Sequence, residues 1–215
     1  MEITSALGQR LREFADAVQR SPHNLVSRRA REELLERHVP ECVSFGALLP
    51  DAVRVLDIGS GGGFPALVVA LTRPDLDITM IEATGKKAQF LQEQVVRFGL
   101  QDRVRVIHGR AEDHQHPPLN GSFDVVTARA VAPLERLIGW SVPFLRPGGL
   151  LYAIKGERWV GELEDAVHEL HRYGASVLAT PDEVGPDTDG IHPRVVIIQR
   201  SAGSRPPGST DEGKP

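Results

Sequence analysis

Short apolar runs separated by longer amphipathic stretches fill the chain from residue 50 to residue 200, the alternation that a parallel sheet covered by helices writes into a sequence. Strands are expected over residues 53–58, 78–82, 104–108, 123–128, 150–155, 176–179 and 195–199. Val55, Leu56 and Ile58 form the continuous apolar run of a strand buried on both faces. Over residues 85–98 the apolar period lengthens, so that Ala88, Leu91, Val95 and Phe98 make one helical stripe, with Gly99 placed to cap its end. Before residue 50 the pattern is helical throughout. Leu7, Leu11, Phe14 and Val18 recur at spacings of three and four, Pro22 breaks the run, and a second helical stretch begins near Arg31. The predicted organisation is an N-terminal helical appendage over residues 1–49, then a doubly wound, mostly parallel seven-stranded α/β sheet over residues 50–200. Residues 201–215, rich in Pro, Gly and Ser and without an apolar anchor, are expected to be disordered. A chain of 215 residues is expected to build one core.

Composition narrows the function classes. With 40% hydrophobic and 25% charged residues the chain reads as an ordinary soluble protein, and no apolar run of about 18 residues is present to span a bilayer. Charge is mixed through Met1 to Arg20, unlike the apolar core of a secretory signal. The single cysteine, Cys42, precludes an internal disulfide and reads as a small buried side chain. Lys and Arg total 25 against 29 Asp and Glu, a net charge of -4, so the whole chain has no electrostatic attraction for nucleic acid. Any RNA contact must come from a local patch, for which Arg28, Arg29 and Arg31, or Lys86 and Lys87, are the candidates; each cluster alone also fits a solvated helix face.

The candidate chemistry lies where the first strand ends: Asp57-Ile58-Gly59-Ser60-Gly61-Gly62-Gly63-Phe64-Pro65. Glycines let the chain turn sharply from strand to helix and let a ligand approach the backbone, while Pro65 suits the first turn of the helix that follows. In an open parallel sheet the ligand crevice lies at the carboxyl ends of the strands, where this loop sits. The dinucleotide pattern G-x-G-x-x-G fits poorly, since Phe64 stands at the third glycine counted from Gly59, and Ala66 counted from Gly61. Asp57 would repel a pyrophosphate but suits a cationic ligand such as S-adenosylmethionine, which carries an ammonium and a sulfonium. Glu82, ending the second strand, has the spacing to accept from ribose hydroxyls, and Ala111-Glu112-Asp113 after the third strand can read an adenine edge. No metal is expected: His108, His114 and His116 lack both helical spacing and cysteine partners. Ser60 lacks a nucleophile elbow because Ile58 replaces its first glycine.

Together with Gly85-Lys86-Lys87, Ala128-Arg129-Ala130 and Ala153-Ile154-Lys155-Gly156, in this order, the loop resembles the bacterial 16S ribosomal RNA (guanine-N7) methyltransferases, also called the glucose-inhibited division protein B family. The likeness extends to Asn24-Leu25-Val26-Ser27 and Arg37-His38, although Val26, Glu41, Phe64 and Ala66 stand where threonine, aspartate, leucine and glycine are usual. The resemblance implies a cytoplasmic enzyme methylating one guanine of small-subunit ribosomal RNA, and a monomer is expected. Gly59, Phe64, Ala111, Glu112 and Arg129 would contact the cofactor, alongside Asp57, Gly61 and Glu82, while Lys86, Lys87 and Lys155 would face RNA. Guanine N7 has a lone pair and no proton to lose, so no obligatory catalytic acid or base is expected. A methyltransferase acting on a small molecule or a protein, a non-catalytic RNA-binding module and a nicotinamide oxidoreductase remain the alternatives.

Overall fold

The computed structural model describes residues 5–115, 118–184 and 192–203. All seven expected strands form: β1 Arg54–Ile58, β2 Asp77–Glu82, β3 Val104–His108, β4 Phe123–Arg129, β5 Leu145–Ile154, β6 Ala175–Ala179 and β7 Val195–Arg200. They make one sheet in the order β3-β2-β1-β4-β5-β7-β6, in which only β7 runs antiparallel to its neighbours. The order reverses between β1 and β4, which opens a crevice at the carboxyl ends of those two strands. β5 starts five residues earlier than expected. Leu145 pairs with Phe123 before a register shift absorbs Pro147-Gly148-Gly149, residues that read as a turn in the sequence.

Alternate residues of the strands feed two cores, one on each face of the sheet. Val55, Ile78, Met80 and Val125 point to one, Leu56, Ile81, Val126 and Leu151 to the other. The second core is closed by α6 (Leu134–Ser141), with α7 (Trp159–Asp165) and α8 (Val167–Arg172) beside it. The first is closed by α4 (Ala66–Thr72) and α5 (Gly85–Arg97) and also by the N-terminal helices. α1 (Ser5–Arg20) buries Leu11, Phe14 and Val18, the stripe seen in the sequence, each worth roughly 2 kcal/mol of transfer free energy. α3 (Val39–Leu48) adds Val39, Cys42 and Phe45 to the same cluster.

The second helical stretch begins at Arg28 rather than Arg31, because Ser27 Oγ accepts from Ala30 N at 3.2 Å and caps α2 (Arg28–Glu32). A π-helical turn over Leu34–His38 then joins α2 to α3, with His38 N bonded five residues back to the Glu33 carbonyl. The C-terminal cap of α5 forms as expected: Gly99 has φ +64°, with Gly99 N donating to Val96 O and Leu100 N to Val95 O. Among the described residues no helix is long and apolar enough to cross a membrane. Most of the tail expected to be disordered, from residue 204 on, lies outside the described residues.

Candidate active site

The glycine loop leaves β1 and turns at once over its neighbour. Gly59 N and Ser60 N both donate to the Ile81 carbonyl of β2, at 2.8 and 3.3 Å, and Gly63 N closes a turn onto Ser60 O at 2.7 Å. Gly59, Gly61 and Gly63 have φ of +68°, +56° and +92°, a region L side chains rarely enter. Pro65 stands at the position before the first residue of α4, one earlier than the sequence suggested and without a side-chain cap hydrogen bond, and the Phe64–Pro65 peptide is cis. A Cβ on Gly63 would stand 2.8 Å from Leu67 Cδ1 and 2.9 Å from Phe14 Cζ. Gly63→Ala is therefore expected to destabilise the fold by about 3 kcal/mol, combining backbone strain with overpacking. Gly121, at φ +64° with nothing within 4 Å of a Cβ, is the control whose alanine variant carries strain alone. Urea unfolding of the two variants separates the contributions, and equal midpoints would contradict the packing argument.

Beneath the loop sits Asp57, 1% exposed. Thr127 Oγ1, on the facing position of β4, donates to its Oδ1 at 2.6 Å, while Oδ2 is buried and has no partner among the described residues. Burial pushes this carboxyl up to about 6, against the nearby Ser60 hydroxyl, which donates to the Asp57 backbone carbonyl at 3.2 Å, and the Thr127 hydrogen bond, both favouring the anion, and with the nearby Glu82 charge adding to the rise. An orphaned, buried carboxylate oxygen at the switch point is what a cationic or hydroxyl-bearing ligand would satisfy. Glu82, also buried, accepts from Gly61 N through Oε2 and from Thr84 N through Oε1, both at 2.8 Å. It holds the loop in shape, and each oxygen retains a second lone pair for a ligand hydroxyl.

The other expected cofactor residues lie around this point. Ala111 is buried and Glu112 exposed on a 3-10 turn, Ala111–His114, that follows β3. Phe64 sets its ring against Phe14, centroids 5.2 Å apart, so its side chain is committed to the N-terminal helix and its backbone to the loop. Arg129 ends β4 and reaches back to the N-terminal helices. Its Nη2 lies 3.0 Å from Glu41 Oε2 and 2.7 Å from His38 Nδ1, and its Nη1 donates to Cys42 Sγ at 3.5 Å. Glu41 also accepts from Arg37 Nε at 2.9 Å. Burial works to raise the Glu41 carboxyl, but hydrogen bonds from His38 and Arg37 and the Arg129 charge outweigh it and hold the group down at about 2. Cys42 is buried as expected, and that burial pushes its thiol up to about 12.

Of the lysines expected to face RNA, Lys86 is exposed and Lys87 half-buried in the first turn of α5, with no ion pair among the described residues. Lys155 differs. Its side chain is 6% exposed, and its ammonium is held by Glu162 Oε2, on α7, at 2.6 Å and by the Ala132 carbonyl at 2.8 Å. It supports the wall of the crevice and offers no free charge at the surface. Thr127, Glu41 and Glu162 were not expected as site residues. Only Glu41 left a signal, standing three and four residues after His38 and Arg37, the spacing of neighbours on a helix face. Among the described residues no group of three or more His, Cys, Asp and Glu side chains is arranged to hold a metal.

Residues 8–188 match a family described as rRNA small subunit methyltransferase G. The ribosomal RNA small subunit methyltransferase G of Thermobifida fusca (strain YX) is 49% identical over 148 residues, which cover 69% of this chain and 61% of that protein. The protein of the same name from Mycolicibacterium smegmatis is 39% identical over 190 residues, covering 88% of this chain and 79% of its own. Among solved structures, P. horikoshii TYW2 in complex with MeSAdo has a TM-score of 0.60 at 17% identity, covering 77% of this chain and 63% of that one. Cofactor-bound Rv0187 from MTB has a TM-score of 0.57 at 19% identity, covering 94% and 92%. At such identities the structural likeness speaks for the fold, a Rossmann-like sheet.

Proposed function

The chain belongs to the rRNA small subunit methyltransferase G family, and from that premise we propose that it transfers a methyl group from S-adenosylmethionine to N7 of a guanine in 16S ribosomal RNA, as a monomer in the cytoplasm. The observation that carries this reading is Asp57: a buried carboxylate with one oxygen unpartnered among the described residues, under a loop of left-handed glycines at the switch point of the sheet. Bound there, S-adenosylmethionine supplies an electrophilic methyl group on a sulfonium. Asp57 and the loop amides hold its charged end, Glu82 takes the ribose hydroxyls, and the Ala111 amide with Glu112 takes the adenine edge. Arg129, at the end of β4 and at the mouth of the crevice, contacts the cofactor from the side held by α3.

Because guanine N7 carries a lone pair in the ring plane and no proton, no side chain need remove one. The work of this chain is alignment, and holding nucleophile, carbon and leaving group in line is worth several kcal/mol. Lys86 and Lys87, at the start of α5 and without an ion pair among the described residues, would meet phosphates, where each contact adds salt-dependent affinity. The test is transfer of labelled methyl groups to small ribosomal subunits from a strain lacking the gene, followed by nucleoside analysis. Labelled 7-methylguanosine that disappears with Asp57→Ala is the expected result. Label in another nucleoside would refute the N7 assignment, and cofactor binding without transfer to RNA would favour a small-molecule or protein acceptor.

A further inference from the structure

A cleft of about 450 Å³ opens beside the crevice, between the ends of β4 and β5 and the segment entering β7. That is room for a nucleotide. Five cations and two carboxylates line it, and their pairing is uneven. Glu41 is shared by Arg37 and Arg129, and Glu162 is taken by Lys155, so three of the five cations are already partnered. Glu162 is doubly committed, since the same Oε2 accepts from Leu134 N at 3.0 Å. The other two cations, Arg158 and Arg194, are exposed and have no hydrogen-bond or ion-pair partner for their guanidinium groups among the described residues.

The backbone brings these two to one rim. Lys155 N donates to the Arg194 carbonyl at 2.9 Å, and Arg158 follows three residues later in the loop before α7. Glu157, the acidic residue in that loop, is exposed and does not line the cleft. Below the rim, the buried Lys155–Glu162 pair and the Ala132 carbonyl fix the floor.

Resting on the RNA-methylating reading above, we infer that Arg158 and Arg194 form a clamp for a backbone phosphodiester of the acceptor RNA strand, the contact that seats the target nucleotide beside the cofactor crevice. Two guanidinium forks match the tetrahedral oxygens of a phosphate, and among the described residues neither has a carboxylate to leave in doing so. The role expected of Lys155 from sequence thus passes to two arginines that flank it in space. Lys86 and Lys87, on the β2 side of the crevice, and this clamp, on the β5 side, would grip the strand from both sides of the target base.

The experiment uses the full chain with Arg158→Ala and Arg194→Ala combined. Binding to unmethylated small subunits and to protein-free 16S RNA is followed over a range of salt, and cofactor affinity is titrated separately. Expected are an unchanged cofactor affinity, a loss of RNA affinity of about tenfold at moderate salt, and a salt dependence shallower by about 0.7 in log–log slope, the value for one single-strand phosphate. The double lysine variant, which keeps the charge, should recover most of the slope. An unchanged slope and affinity would overturn the clamp, as would a parallel loss of cofactor affinity. So would a loss seen with subunits and absent with naked RNA, which would make the partner a ribosomal protein. Failure of the methylation reading shows elsewhere: the wild-type chain would then form no 7-methylguanosine, whatever its salt slope.

Discussion

Asp57→Asn is expected to make the ligand-free protein more stable at neutral pH while removing its hold on the cofactor. The wild-type carboxyl is raised by burial from 3.8 to about 6. A carboxyl raised in the folded state contributes stability that is fully present below 3.8 and is lost as pH climbs through 6. Above pH 6 the fold therefore carries a buried charge whose Oδ2 no described residue satisfies. About two pKa units at 1.36 kcal/mol each give a penalty of about 3 kcal/mol, which asparagine does not incur. The substitution keeps the Thr127 hydrogen bond, since an amide oxygen accepts as a carboxylate oxygen does. In urea unfolding the variant should match wild type near pH 4, exceed it increasingly up to about pH 7, and keep that margin to pH 8. Cofactor titration should show the opposite preference, with affinity down a hundredfold or more at pH 8, the range for losing a charge-assisted partner in a buried site. Wild-type affinity should itself fall about tenfold between pH 8 and pH 5, where only about a tenth of Asp57 is ionised. Equal stability of the two proteins at pH 8, or an undiminished cofactor affinity, would sink the argument.

The sheet was legible because its signals are local and redundant. Val55, Leu56 and Ile58 are buried whichever face they serve, and Gly99 marks a helix end by its own backbone preference. The start of β5 was hidden because Pro147-Gly148-Gly149 carries the signal of a turn, and only pairing with Phe123 across the sheet makes it strand. The start of α2 was hidden by a smaller omission, the capping capacity of Ser27. At the site, Asp57, the glycines and Glu82 were legible because their chemistry is written in consecutive residues. Whether a lysine is free or paired is not written so. Lys155 and Glu162 lie seven residues apart, and their contact depends on how the chain folds after β5. Thr127 escaped notice because its partner is seventy residues away in sequence and opposite it in register.

Glu41→Gln is expected to lose about 3 kcal/mol of stability above pH 4.5, and to lose cofactor affinity with it. Glu41 is 11% exposed and gathers His38, Arg37 and Arg129 around one carboxylate. Its carboxyl is lowered from 4.5 to about 2, so its contribution is present above 4.5 and is lost as pH falls towards 2. The window and the sign are the reverse of those of Asp57: the glutamine variant should be weakest relative to wild type at neutral pH and converge with it in acid. A neutral amide in place of this carboxylate would also leave Arg129, 21% exposed, without its counter-charge at the mouth of the crevice, free to turn away from the cofactor. Glu41→Asp keeps the charge and should retain most of both properties. Urea midpoints between pH 3 and pH 8, with cofactor titration of the same proteins, check this. A deficit that stays constant across that range would mean the carboxylate is not the group that matters. A full loss of stability with intact cofactor affinity would mean that α3 braces the fold and leaves Arg129 in place. The expected joint loss would make the N-terminal helices part of the active site, because the side chain that positions Arg129 at the end of β4 comes from α3.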